Sequence, residues 1–207
     1  MKLGEFRNLS DDIDIFGTVD NLQVSVGDAL LGRVIDAMEC PADGCGEIET
    51  KLKYPLFENP QKPMERKPIS ELLYTGIRSI DSSLAIGKGQ GLGIFGGSGV
   101  GKTSLLSMIA KNNNADINVI GLIGDRSREN QDFINNLGQE CLRHSVIVEA
   151  NSEQLAISNV RSAYVCSAIS GYFRDNGNKR ERLEKYEDLL CAYKNLLEVK
   201  KILEFKI

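Results

Sequence analysis

The chain is poor in the residue types that build metal centres, disulfide frameworks and membrane spans. Its 207 residues include one histidine, His144, and five cysteines, at 40, 45, 141, 166 and 191. No two cysteines have CxxC spacing and their number is odd, so free thiols in a reducing compartment are expected rather than a zinc site or a disulfide scaffold. No stretch approaches the roughly 20 consecutive apolar residues of a bilayer-crossing helix. Residues 1–10 have no apolar run behind their charges, so no secretory leader is expected there. Charge of one sign is not in excess: 25 Lys and Arg stand against 29 Asp and Glu, a net charge of −4. Bulk electrostatic capture of nucleic acid needs a basic footprint and is not expected. The [NT]KxD segment by which GTPases read their base is also missing.

What is present is ordinary globular chemistry, 42% hydrophobic and 26% charged residues, in a length that allows one domain plus extras. Residues 13–26 alternate weakly in polarity, which suggests short strands. All five prolines fall between 41 and 68, so that stretch reads as an extended connector. Three short apolar runs follow: Leu92–Phe95, Ile117–Ile123 and Ser145–Val148. Each fits a strand of a parallel sheet buried on both faces. Segments 101–111, 128–137 and 153–174 between and after them have helical character, so an α/β fold of βαβ units is expected. Over 179–207, Leu183, Leu190 and Leu197, and again Leu189, Leu196 and Leu203, recur every seven residues. That spacing predicts a long amphipathic helix, packed on its own domain or offered to a partner.

Residues 96–103 read GGSGVGKT and match GxxxxGK[ST]. Gly96, Gly97, Gly99 and Gly101 permit backbone angles closed to other residues and let peptide N–H groups face a polyphosphate. Ser98 and Val100 complete the loop, Lys102 supplies a cation for the β- and γ-phosphates, and Thr103, with Ser104 after it, opens the following helix and offers a hydroxyl to Mg²⁺. A strand before and a helix after satisfy the context this motif needs, so a nucleotide with Mg²⁺ is the expected cofactor. The run from 117 leads into Gly124, Asp125 and Arg126. At the C-terminal end of a parallel strand these would face the ligand, Asp125 to orient a water and Arg126 to neutralise developing charge; a solvated loop with a local ion pair is the other reading. Asp81, after Ile80, is expected to cap a helix at 82–86, His144 to be a surface histidine, and Cys166 a small buried residue in the helix 153–174.

Together these segments resemble the flagellar and type III secretion export ATPases, relatives of the catalytic subunit of the rotary ATP synthase. The likeness is carried by VGDALLGRVID at 26–36 with Pro41 and Asp43-Gly44, TGIRSID at 75–81, Gly89-Gln90, GIF at 93–95, NVIGLIG at 118–124, and YFRD at 172–175 with Gly177. It spans roughly residues 18–178. The resemblance implies a RecA-like P-loop core, with residues 1–27 a remnant of an N-terminal β-barrel, 28–72 a connector, 73–178 a partial nucleotide-binding domain and 179–207 the helical tail. It further implies a cytoplasmic homohexamer, peripheral to an inner-membrane export gate, that couples MgATP hydrolysis to protein secretion. Its implied partners are stator and stalk proteins of the export apparatus and chaperone–cargo complexes.

Three positions depart from the resemblance. Asp125 stands where the family has Glu, Gly91 where it usually has Arg, and after 178 the sequence runs Lys179-Arg180-Glu181-Arg182 where the family has an apolar strand ending in a magnesium-organising Asp. A non-catalytic module that binds nucleotide or a sibling subunit is therefore weighed beside the export ATPase, with an RNA-translocating RecA-like machine a third reading that the acidic balance disfavours. Asp is one methylene shorter than Glu, and a misplacement of about 1 Å can cost about a hundredfold in rate. Asp125→Glu is accordingly expected to raise MgATP turnover, measured as phosphate release; an unchanged or lower rate would refute the role given to that position.

Overall fold

The computed structural model describes residues 22–57, 64, 68–97, 99–177, 189–194 and 203–204, the last two segments as backbone. The elements in chain order are β1 (Gln23–Val26), a 3-10 turn (Asp28–Leu30), β2 (Val34–Asp36), β3 (Leu52–Pro55), β4 (Leu72–Leu73), α1 (Arg78–Ser83), β5 (Ile86–Gly87), β6 (Gly91–Leu92), α2 (Lys102–Asn112), β7 (Ile117–Asp125), α3 (Ser127–Arg143), β8 (Ser145–Asn151), α4 (Ala156–Gly177), β9 (Leu189–Lys194) and β10 (Leu203–Glu204).

The centre is a four-stranded sheet in the order β2-β8-β7-β9, with every pairing parallel. β7 is apolar almost throughout because it is buried on both faces. On one face Val119, Ile123, Val146 and Val148 meet Val165, Ile169 and Phe173 of α4, together with Val24 and Val26 of β1. On the other, Ile120, Leu122 and Ile147 meet Leu106 and Ile109 of α2 and Phe133 and Leu137 of α3. Helices on both faces of a parallel sheet bear out the expected α/β fold. α3 is interrupted at Gly138, whose φ of 75° lies in the left-handed region that glycine tolerates.

The amino-terminal part is tied to this core. β1 pairs antiparallel with β3, which lies within the proline-bearing stretch, and β2 pairs with β8. Tyr54 Oη donates to Asp175 Oδ2 at 2.7 Å and so joins β3 to the end of α4. Arg161 of α4 reaches back to the Ala37 carbonyl at 2.8 Å and to Glu39 at 3.4 Å. Arg33 clamps Asp43 through Nε at 2.5 Å and Nη2 at 2.9 Å, and the same carboxylate accepts from the Val34 and Cys45 amides. Among the described residues no helix is long and apolar enough to cross a membrane.

Three local expectations are corrected. The amphipathic helix expected over 179–207 gives way to strand at Leu189–Lys194, paired along six positions of β7, and at Leu203–Glu204. An open edge of β7 would leave a row of buried N–H and C=O groups unmet, and Leu-Leu-Cys-Ala-Tyr suits a buried parallel strand as well as a helix. The rest of that tail, with residues 1–21 of the expected barrel remnant, lies outside the described residues. Leu92–Phe95 does not join the parallel sheet: only Gly91–Leu92 is strand, it pairs antiparallel with β10, and Phe95 is 64% exposed. β9 already holds the β7 edge, and the flanking glycines offer little side chain to bury. Asp81 does not cap a helix at 82–86. It lies inside α1, and its carboxylate instead binds the Thr75 amide and hydroxyl and the Gly76 amide.

Two stability measurements follow. Phe133 is fully buried between α3 and the sheet, so Phe133→Ala should cost about 3–5 kcal/mol in urea unfolding. The hydrogen-bonded Arg33 guanidinium holds the Asp43 carboxyl well below the usual carboxylate range, against the opposing effect of burial. The folded-state value is depressed, so this contribution is complete above the unfolded value of 3.8 and is lost as pH falls through the folded one. Stability should therefore drop on acidification below about pH 4, with a shallower slope in Asp43→Asn.

Candidate functional site

The glycine-rich loop enters α2 through two left-handed residues, Gly99 at φ 76° and Gly101 at φ 89°. A side chain at either would be strained, so the sharp turn needs glycine there. Gly101 is the N-cap of α2 and supplies no side-chain cap, so the first N–H groups of the helix remain turned toward the loop. Lys102 folds back over the same loop: its Nζ donates to the Gly96 carbonyl at 2.6 Å and to the Gly97 carbonyl. Gly96, Gly97, Gly99, Val100 and Gly101 are all exposed, and Ser98 lies outside the described residues.

Chain direction places this loop relative to the sheet. α2 ends at Asn112 and β7 begins at Ile117, so the C-terminal end of α2 lies near the start of β7 and its N-terminal end near the finish. α3 begins immediately after β7 and therefore starts at that same end. A groove between the two helices runs from Thr103 and Ser104 on the first turn of α2 to Glu129 on the first turn of α3, and onward past Ser107, Lys111 and Asp132. Both helix N-termini thus open at the C-terminal edge of the parallel strands, where such sheets hold ligands.

Asp125 ends β7 at that edge and is buried, 5% exposed. It pairs in register with Asn151 across an irregularity at Ile123/Asp125, beside the left-handed Gly124, and its carbonyl accepts from the Ser152 amide at 2.9 Å. Arg126 is the N-cap of α3 and is exposed, and its carbonyl accepts from the Glu129 and Asn130 amides. Of the residues singled out from the sequence, Thr103 and Ser104 share the groove, Lys102 sits on the loop, and Asp125 and Arg126 stand at the end of β7. His144 caps the far end of α3 and is exposed, and Cys166 is buried in α4; both are as expected, away from the site.

Sequence reading missed a polar group behind this loop. Asn130 and Asn151 meet where α3 begins and β8 ends. The available signal was an asparagine at 130 in the apolar stripe of Phe133 and Leu137. Nor did the sequence indicate that an apolar strand would lie beside β7 after all. That strand, β9, runs Leu-Leu-Cys-Ala-Tyr-Lys and carries no aspartate.

A glycine loop closed on a helix-borne lysine, at the C-terminal edge of a parallel sheet covered on both faces, defines a RecA-like P-loop core. The model of the ATP synthase alpha/beta family, nucleotide-binding domain, matches residues 76–184. The chain belongs to the ATP synthase alpha/beta family. It is 52% identical over 159 residues to a flagellum-specific ATP synthase of Treponema pallidum (strain Nichols), which covers 76% of this chain and 36% of that one. It is 42% identical over 175 residues to a type 3 secretion system ATPase of Xanthomonas euvesicatoria, covering 84% of this chain and 40% of the relative. Among solved structures, the assembled ATPase EscN from the enteropathogenic E. coli type III secretion system, in complex with its central stalk EscO, matches with a TM-score of 0.75 and 37% identity over 83% of this chain and 40% of that chain. The chain thus spans well under half the length of these relatives. The export-type resemblance read from 18–178 is borne out by the names of the relatives.

Proposed function

We propose that this chain is the nucleotide-binding core of a protein-export ATPase of the flagellar and type III secretion branch. The observation that carries the reading is Lys102 folded onto the carbonyls of the 96–97 loop at an uncapped helix N-terminus. An ammonium held there by neutral carbonyls stands where a phosphate would bind it more strongly. Gly96, Gly97, Ser98, Gly99, Val100 and Gly101 would wrap the phosphates with backbone N–H groups, Lys102 would bind the β- and γ-phosphates, and Ser104 would extend the cradle into α2. Mg²⁺ keeps most of its waters and takes one or two protein ligands beside the phosphates. The Thr103 hydroxyl, on the first turn of α2 and lining the groove, fits that demand. Asp125 would hold the attacking water and accept its proton, and Arg126 would stabilise charge on the transferred phosphoryl group.

The likeness to assembled EscN with its stalk EscO supports a homo-oligomer, a hexamer by family, that engages a stalk protein. The same reading extends to a stator, to chaperone–cargo complexes and to a cytoplasmic position at the inner-membrane export gate, with no role for nucleic acid. A second reading, a nucleotide-binding subunit without turnover, is favoured by the aspartate at 125 and by the lack of an aspartate in β9.

Binding of a fluorescent ATP analogue with Mg²⁺ to the purified full chain tests the core of the proposal. Lys102→Ala should weaken it about 10- to 100-fold, the loss expected for a charge-assisted hydrogen bond of about 1.5–3 kcal/mol. Equal binding by both forms would refute the site. Phosphate release abolished by the same substitution would exclude the inert subunit, whereas binding with no release would exclude the enzyme.

A further inference from the structure

The inference rests on the roles given above to Asp125 and Arg126 and concerns what holds them. α3 turns Phe133 and Leu137 to the sheet, and helical spacing puts Asn130 at the head of the same stripe. Asn130 is buried, 0% exposed, where an apolar residue would serve packing at lower cost. Its Nδ2 donates to Asn151 Oδ1 at 2.8 Å. Its Oδ1 is buried and meets no donor among the described residues. A position that gives up stability in this way calls for a reason other than packing.

That acceptor belongs to the end of β8, and that end is joined to the Asp125 loop. Asn151 is the register partner of Asp125, and the Ser152 amide donates to the Asp125 carbonyl at 2.9 Å. From the other side, the Asn130 amide donates to the Arg126 carbonyl at 3.2 Å. One residue thus grips Arg126 by its backbone and the end of β8 by its side chain. We propose that Asn130, with Asn151 as its acceptor, is a positioning residue that sets the Asp125–Arg126 loop against the end of β8.

Amide hydrogen exchange on the full chain without nucleotide tests this. Asn130→Ala should speed exchange at Ser152 and at Glu129, whose amides bond Asp125 and Arg126, by about tenfold, the factor one buried hydrogen bond carries. Val119 and Val146, in the middle of the sheet, should keep their protection. Asn130→Leu keeps the branched shape without the amide and should lose the same local protection. Asn151→Ala should share the loss, whereas Asn151→Asp, which keeps an acceptor oxygen, should restore protection. Unchanged exchange at Ser152, protection retained in Asn130→Leu, no difference between the two Asn151 variants, or loss spread equally to Val119 and Val146 would each overturn the proposal. The readout needs no nucleotide, so failure of the unaltered chain to bind MgATP would defeat the function proposed above while leaving this measurement to decide on its own.

Discussion

The site depends on one strand that has no free side. β7 is paired on both edges, by β8 and β9, and covered on both faces, by α4 and by α2 with α3. A strand so enclosed is apolar along most of its length, since an unpaired polar side chain within it would be stripped of water, and Asn118 near its start is buried only with hydrogen bonds to Asn113 and the Ala110 carbonyl. Polar groups free to meet a ligand resume where the strand leaves the sheet. In this chain that point is Gly124-Asp125-Arg126, and the turn that Gly124 permits sends the next helix back across the sheet. The helices that cover one face begin at that same edge, so their N–H groups and the acid and base residues share one rim. The chemistry gathers there because burial excludes it elsewhere.

Much of this was legible in the sequence because its signals are local. The continuous apolar run at 117–123 and the polar step after it specify a buried parallel strand and its exit. The glycines at 99 and 101 specify a turn closed to other residues, followed at once by helix. Relations between distant segments were not legible. Leu189–Lys194 reads equally as part of a heptad-spaced helix, and only the waiting edge of β7 decides in favour of strand. Leu92–Phe95 reads as a buried strand, yet a strand needs a neighbour, and the neighbouring place was taken. Asn130 looked like any polar residue of a helix, because its burial is conferred by the end of β8 some twenty residues further on.

The features of the site do not all pull toward one role. The loop and Lys102 would serve the proposed phosphate recognition, which the backbone supplies and which tolerates variation nearby. Hydrolysis is more demanding, because it requires a carboxylate at the correct reach and a second acid to order the metal's waters. Asp125 is buried and held from several directions, so its short side chain cannot be offset by a relaxed backbone. In the function proposed here, recognition and turnover would thus be separable, governed by different elements of the same rim.

β2 carries a consequence for how the chain reaches its fold. Val34–Asp36 is an edge strand of the central sheet, yet its partner in β8 lies roughly 110 residues later, and closing such a loop is entropically uphill before any contact rewards it. The amino-terminal segment therefore docks late, as a lid on an edge that α2, β7, α3 and β8 have already built. Until it docks, β8 presents an unpaired parallel edge to whatever chain is nearby. A nascent copy emerging from the ribosome carries β2 long before it carries β8. Its first exposed edge can thus be closed from within its own chain, an order of synthesis that favours folding over pairing with a neighbour.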